Sequence, residues 1–519
     1  MPEPSASTKR NLLTAAKGGG VILGGKLFNH GGRLLTAIVV ARFLAADQYG
    51  EYNLGLTTAE VLAGFASLGL HKALVRYIPV SVREGDRAGL WGTLQLCVGL
   101  NGAISLLFGI GLFALAGPVA IGIFHDPQVE PLLRLISIFV PFFALNDGLA
   151  AATRGFKNFH YTAVSQFLMH PIVKFVLTMV FAIFGLTALR ALTAAGIAEM
   201  ATFAMLLYFL QKQVRQHPSE ESRRDAGEVL RYSIPLYFSQ LLNEFSGRFQ
   251  VLFLGTLSTS RQVGVYVVAR QLTTVSALFQ RAVRVTGEPI MAELINRSEK
   301  SKADQSEFKT VYQNLTKWTF ALNLPLLLVL ILLAKPILSL FGESFSEGVA
   351  LIWLFAPRRL IYVATGMCGA ALDMGGHSVL RLMNSAIGVV LLLSLNFWLI
   401  PLWGSFGAGV AVTAAEVTVS LLQLIEIAVL HRVLPFGRDF LKPILAAGIA
   451  IATSLTAGRW FPPEASYWFA AANALLIVGS YAVAILALGL NPEERFLLSR
   501  ARGRARALVS RVPVFANAF

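Results

Sequence analysis

The chain has 519 residues, 55% of them hydrophobic and only 14% charged, with a mean hydropathy of +0.63. A soluble domain carries about 25% charge, so a soluble enzyme or binding module is excluded, and the lack of short alternating strands argues against a closed barrel. A net charge of +15 suggests nucleic acid, but most Lys and Arg fall in loops on one side of the predicted membrane.

Apolar stretches of roughly 20 residues recur along the chain, each long enough to cross a bilayer. Spans must satisfy their own backbone groups in lipid and are therefore helices. Fourteen are predicted, near 15–43, 52–80, 88–116, 130–153, 159–184, 186–210, 230–257, 262–284, 312–334, 346–374, 380–401, 405–430, 439–458 and 467–490. The first follows Lys9, Arg10 and Lys17 without a small-residue cleavage site, which predicts a retained helix.

With the N-terminus inside, inner segments hold Arg83, Arg87, Arg154, Lys157, Lys212, Arg215, Arg231 and the arginines after 494. Outer segments offer little beyond Arg190, Arg261, Lys335 and Arg459. The Lys/Arg bias predicts two cytoplasmic termini and an even number of spans, with Gly50 and Gly404 exposed outside and Ser301 inside. Cys97 and Cys368 both fall in apolar spans, as packing residues.

The chain repeats itself. Gln48-Tyr49-Gly50-Glu51-Tyr52 follows the first span and Gln262-Val263-Gly264-Val265-Tyr266 the seventh, both Q-x-G-x-Y, 214 residues apart. Leu115-Ala116-Gly117-Pro118 matches Leu333-Ala334-Lys335-Pro336 at a similar offset. Six spans return the chain to its starting side, so the halves are parallel repeats. The predicted organisation is an N-terminal lobe at 1–211, a cytoplasmic linker at 212–229 and a C-terminal lobe at 230–432. Two further spans at 433–490 and a basic tail at 491–519 follow.

The stretch 41–79 resembles the start of the polysaccharide-transporter, or O-antigen flippase, family of the multidrug/oligosaccharidyl-lipid/polysaccharide exporter superfamily. Arg42 ending span one, Tyr49-Gly50-x-Tyr52, Leu68-Gly69-Leu70 and Ala73-Leu74-x-Arg76-Tyr77 carry the resemblance, together with the span count and Asn491-Pro492-Glu493-Glu494-Arg495. It implies an all-α polytopic protein of the bacterial inner membrane, with two V-packed lobes around a central cleft. It also implies alternating access that carries a polyprenyl-diphosphate-linked oligosaccharide outward. The lipid II flippase branch shares the fourteen spans, but its N-terminal patterns are not found. The multidrug branch usually has twelve, so the last two helices count against it.

Charges inside the spans point to the cleft. Lys26, Arg33, Arg248, Arg270 and Arg358, with Arg359 beside it, lie well within apolar segments. A lipid-facing cation costs roughly 2.5–3.5 kcal/mol at mid-membrane, so five cannot all face lipid. Lys26, His30 and Arg33 share one face of span one; Gln240, Glu244 and Arg248 share one of span seven; Arg270, Thr274, Arg281 and Arg284 share one of span eight. Guanidinium groups suit a diphosphate because they bind phosphate oxygens bidentately; the plainer alternative is internal ion pairing, Glu244 to Arg248 for example. Glu60, Asp147, Glu199, Glu244 and Glu416 are candidates for ion coupling or for balancing these arginines.

No P-loop, glycosidase carboxylate pair, H-E-x-x-H or C-x-x-C occurs, so no catalytic, metal-ligating or cofactor-binding residue is assigned. The expected function is a flippase-type secondary transporter for a lipid-linked oligosaccharide or polysaccharide precursor. Membrane lipids, a polysaccharide polymerase and glycosyltransferases are the expected partners, and nucleic acid is not. The alternatives are an ion-coupled antiporter exporting small molecules, a lipid II-type flippase, and a non-transporting scaffold of a glycan-assembly complex.

Overall fold

The computed structural model describes residues 6–215, 226–276, 280, 283, 287, 290–295, 302–462 and 466–489. Arg281, Arg284, Ser301, most of the linker, the basic tail and the side chains of Gln240 and Glu244 lie outside the described residues. All regular structure among the described residues is helical.

The first helix, α1 (Ala6–Ala66), runs 61 residues, roughly 90 Å if straight against a hydrocarbon core of about 30 Å. It is not straight. The backbone leaves the helical region at Ala45, where φ is 57°. Lys26 and Gly64, roughly 57 Å apart in a continuous helix, line the same cavity. Thus α1 is two spans folded back on each other, the second continuing through a bend of 47° into α2 (Leu70–Glu84).

Then come α3 (Arg87–Gly122), the bent pair α4 (Val129–Ser137) and α5 (Val140–Gly155), and a fifth span of α6 (Phe159–Thr162), a π-helical turn (Ala163–Met169) and α7 (His170–Ile183). The sixth is α8 (Ala188–Val214). The second half opens with α9 (Ala226–Glu244), a π-helical turn (Phe245–Phe249) and α10 (Gln250–Leu257), followed by α11 (Ser260–Thr274). It continues with α12 (Lys302–Leu332), α13 (Ala334–Ser339), α14 (Val349–Met374) and α15 (Ser378–Leu430). The last is a second hairpin: φ is 53° at Gly404, and a Cβ on Gly407 would strike the Leu399 carbonyl. The remaining spans are α16 (Leu441–Trp460) and α17 (Tyr467–Ala487). Counted on the described residues, these helices make fourteen spans, six in each half and two added at the end.

Packing defines how the lobes meet. One buried core is shared by both: Ala41, Leu44, Tyr49, Leu54, Leu133 and Val140 from the first half interlock with Val263, Tyr266, Phe341, Phe345 and Phe355 from the second. These residues lie near the turns at Ala45, Ser258 and Gly404. Toward the arginine-rich face the core divides. One cluster, around Leu74, Ile78, Leu149 and Leu206, belongs mainly to the first half; another, around Phe308, Tyr312, Met367 and Leu372, belongs to the second. A fourth fastens α16 and α17 to α12 through residues such as Leu324, Leu328, Ala446 and Ile477. One joint core at one end and two cores at the other, the first-half one also taking in Val229 of α9, make a V.

The two Q-x-G-x-Y copies form the joint. A Cβ on Gly50 would lie 3.1 Å from the Gly264 nitrogen and clash with the Ser260 carbonyl. A Cβ on Gly264 would lie 3.1 Å from the Gly50 nitrogen and clash with the Ala46 carbonyl. Both contact pairs are equivalent under the 214-residue offset, so the repeat packs against itself across a local two-fold. Missing side chains let the two backbones touch, as small residues do between membrane helices. Around this crossing Arg261 bridges Asp47 (3.5 Å) and Glu347 (2.8 Å), Ser260 Oγ donates to Asp126 (2.5 Å), and Arg42 donates to the Leu340 carbonyl (3.4 Å).

This corrects one expectation. Gly50 is buried in the crossing, and the Gln262 side chain occupies the space a Cβ on Gly404 would need while accepting from the Ser405 amide. Neither is a free outer-loop position, because hairpin turns this tight leave no loop.

Candidate functional site: a charged cavity between the lobes

A cavity of about 1040 Å³ lies between the arms of the V, on the arginine-rich side of the shared core. Span one presents Lys26, Asn29 and Arg33 to it, a stripe at i, i+3 and i+7. The returning span adds Glu60, Gly64 and Phe65, and α2 adds His71 and Lys72. From α5 come Asn146, Asp147 and Arg154; the fifth span supplies Gln166 and His170, and α8 supplies Glu199. The second half contributes Tyr237, Arg248 and Phe249. Most of the described lining residues belong to the first half. Among the described lining residues Lys26, Arg33, Lys72, Arg154 and Arg248 face Glu60, Asp147 and Glu199, so cations exceed carboxylates by five to three.

Two groups of polar contacts organise this wall. Arg248 Nε donates to Glu60 Oε2 at 2.8 Å, across the gap between the halves. Both partners keep solvent access, at 40% and 26% side-chain exposure, which places the pair in water rather than in a dry core. An ion pair of that kind contributes only about 0–1 kcal/mol, so a competing anion can displace the carboxylate. Arg33, by contrast, pairs with no carboxylate among the described residues.

The second group is held entirely by the first half. His170 Nε2 lies 3.0 Å from one Glu199 oxygen, and Asn146 Nδ2 donates to the other at 2.6 Å. Gln166 Nε2 donates to the Asn146 carbonyl (3.3 Å), and Asn29 Nδ2 donates to the Gln166 carbonyl (2.9 Å). The chain of contacts ties span one to α5, α7 and α8. The π-helical turn at 163–169 aims it, since a π turn breaks the 3.6-residue register and redirects the residues around it.

The other predicted cations stand elsewhere. Arg270 Nη1 donates to the Gly247 carbonyl at 2.8 Å, bracing the π-helical turn that carries Arg248. Arg358 is only 7% exposed, 3.3 Å from Glu416, with its guanidinium 4.8 Å from the Phe355 ring centre. Arg359 donates to Ser276 Oγ at 3.0 Å. All three are held by helix-to-helix contacts, and none lines the cavity. Asn29, His170, Asn146 and Gln166 are cavity residues that sequence reasoning passed over, because a single amide or imidazole in a span carries no signal comparable to a Lys or Arg.

A fourteen-helix, V-shaped membrane protein with a polar, net cationic cavity between two pseudo-symmetric lobes has the architecture of a membrane transporter. Residues 39–350 match the family model described as polysaccharide biosynthesis protein, and the chain belongs to that family. It is 22% identical over 429 residues to stage V sporulation protein B of Bacillus subtilis, covering 78% of this chain and 81% of the relative. It is 22% identical over 358 residues to the succinoglycan biosynthesis transport protein ExoT of Rhizobium meliloti, covering 67% of each. Its fold is similar to that of a lipid II flippase, MurJ, in an inward closed conformation. The TM-score is 0.70 at 13% identity, over 89% of this chain and 96% of that one.

Proposed function

We propose that this protein flips a polyprenyl-diphosphate-linked glycan precursor across a bacterial inner membrane, working beside glycosyltransferases and a polymerase. The arginine-rich face and both termini are cytoplasmic in this reading, and residues 1–211 and 230–432 are the lobes whose rocking closes and opens the Gly50–Gly264 crossing. Lys26, Arg33 and Arg248 hold the diphosphate; Glu60 occupies Arg248 until the anion arrives. Asp147 and Glu199 couple an ion or balance charge. Arg270 and Arg358 act structurally, through Gly247 and Glu416.

What supports the reading most directly is the net cationic wall of a cavity buried between the lobes. Clefts lined by one sign of charge concentrate the opposite sign, and a diphosphate offers the bidentate geometry arginine prefers. Charge-assisted hydrogen bonds contribute about 1.5–3 kcal/mol each, so losing one weakens binding roughly 10- to 150-fold. Vesicles containing the purified protein and a labelled polyprenyl-diphosphate saccharide test this. Arg33→Ala and Arg248→Ala should each reduce flipping by at least tenfold, with Lys replacements restoring only part. Wild-type flipping by both alanine variants at equal protein levels would remove the assignment.

A further inference from the structure

A second cavity, of about 710 Å³, opens on the outer wall of the first lobe, away from the central cleft. Leu94 and Val98 of α3 form one bank, Leu210 and Val214 of α8 the other, and Leu149 of α5 the floor. The floor is built by the topology: α5 packs against both α3 and α8 and holds them apart. Leu94, Leu149, Leu210 and Val214 are no more than 7% exposed, so the trough is firmly packed. Its polar groups gather at the arginine-rich end, where α8 finishes in exposed Arg215, and Trp91 stands one turn from the start of α3.

We infer that this groove binds one acyl chain of an anionic phospholipid, with the phosphate held at Arg215. A trough between two spans, apolar along its length and cationic at one end, complements an amphiphile with a negative head. Trp91 sits where an indole favours the headgroup level, and exposed Arg87 and Lys212 extend the positive field around Arg215. Basic recesses between spans on the cytoplasmic side suit the anionic lipids of that leaflet, so the placement rests on the orientation proposed above; the binding chemistry does not.

Gly99 makes the inference testable without risk to folding. It lines the groove, and a Cβ there would meet nothing within 4 Å, so a phenylalanine enters empty space. The full-length protein is reconstituted in symmetric vesicles with phosphatidylglycerol carrying a photoactivatable group in its acyl chain. Cross-links should concentrate in residues 91–99 and 207–215, and unlabelled phosphatidylglycerol should compete at least tenfold better than phosphatidylcholine. Gly99→Phe should lower these cross-links at least fivefold with labelling elsewhere unchanged. Arg215→Gln should abolish the headgroup preference while acyl cross-linking remains.

Uniform labelling of all membrane-facing segments without headgroup preference would mean ordinary boundary lipid and would overturn the proposal. Cross-linking of the groove to a second polypeptide instead of lipid would overturn it as well, since a partner helix would then be the occupant. No transported cargo is needed, so failure here is separable from failure of the flippase reading.

Discussion

Gly264→Ala is the most informative single change, because the added methyl has nowhere to go. Its Cβ would stand 3.1 Å from both the Gly50 nitrogen and the Ala46 carbonyl carbon, and nearer still to the Ala46 oxygen. Ordinary contact begins at about 3.4 Å, so α11 must retreat from α1 by about 1 Å. Backbone, not a flexible side chain, occupies the space, and overpacking of this kind costs about 1–3 kcal/mol. The cost falls on the arrangement with the crossing closed, so the equilibrium shifts about 5- to 150-fold toward the one with it open. Gly64 supplies the reporter: it lines the cavity, and a Cβ there meets nothing within 4 Å. Gly64→Cys should react slowly with an impermeant thiol reagent applied at the face carrying the crossing. Adding Gly264→Ala should raise that rate at least fivefold. An unchanged rate would show that the glycine crossing is not what keeps this face shut.

Glu60→Gln removes the carboxylate that occupies Arg248; affinity for a soluble diphosphate should rise severalfold by calorimetry, and unchanged affinity would mean that Glu60 does not compete. Gln128→Cys and Lys335→Cys, exposed on the crossing side, should label from outside intact cells and exposed Lys157→Cys should not, with little background from buried Cys97 and Cys368; the reverse pattern would invert the proposed orientation. Flipping in vesicles should follow an imposed ion gradient or membrane potential, worth about 2.3 kcal/mol per charge per 100 mV; concentrative transport with ATP alone would contradict a secondary mechanism.

Much of the architecture was legible because a membrane span announces itself by length and hydropathy alone. The helices at 87–122, 188–214 and 467–487 lie where the apolar stretches lie. Turn geometry was not legible: a non-glycine left-handed residue such as Ala45 carries no mark in the sequence. Neither Q-x-G-x-Y motif, read alone, says that the two touch; only the fold shows that the repeat closes on itself. At the site, helical spacing placed Lys26 and Arg33 on one face, and both line the cavity. Spacing within one helix offered Glu244, whose side chain lies outside the described residues, as a partner of Arg248; it could not show the contact with Glu60, 188 residues away. A π-helical turn at 245–249 lies between the two halves of that stripe and breaks the period on which it was drawn. Periodicity likewise could not say that Arg270 and Arg358 point toward neighbouring helices rather than into the cleft.

The distribution of symmetry along this chain has a practical meaning for anyone wishing to redesign it. Where the halves touch, at Ala46, Gly50, Ser260 and Gly264, each element has its counterpart in mirrored duty. None of these four is among the described residues that line the cavity, which run from Lys26 to Thr202 in the first half and include Tyr237, Arg248 and Phe249 of the second. Recognition and movement are thus written in separable passages of the same text. Transplanting the cavity lining between relatives should exchange what is carried, while the crossing is left untouched.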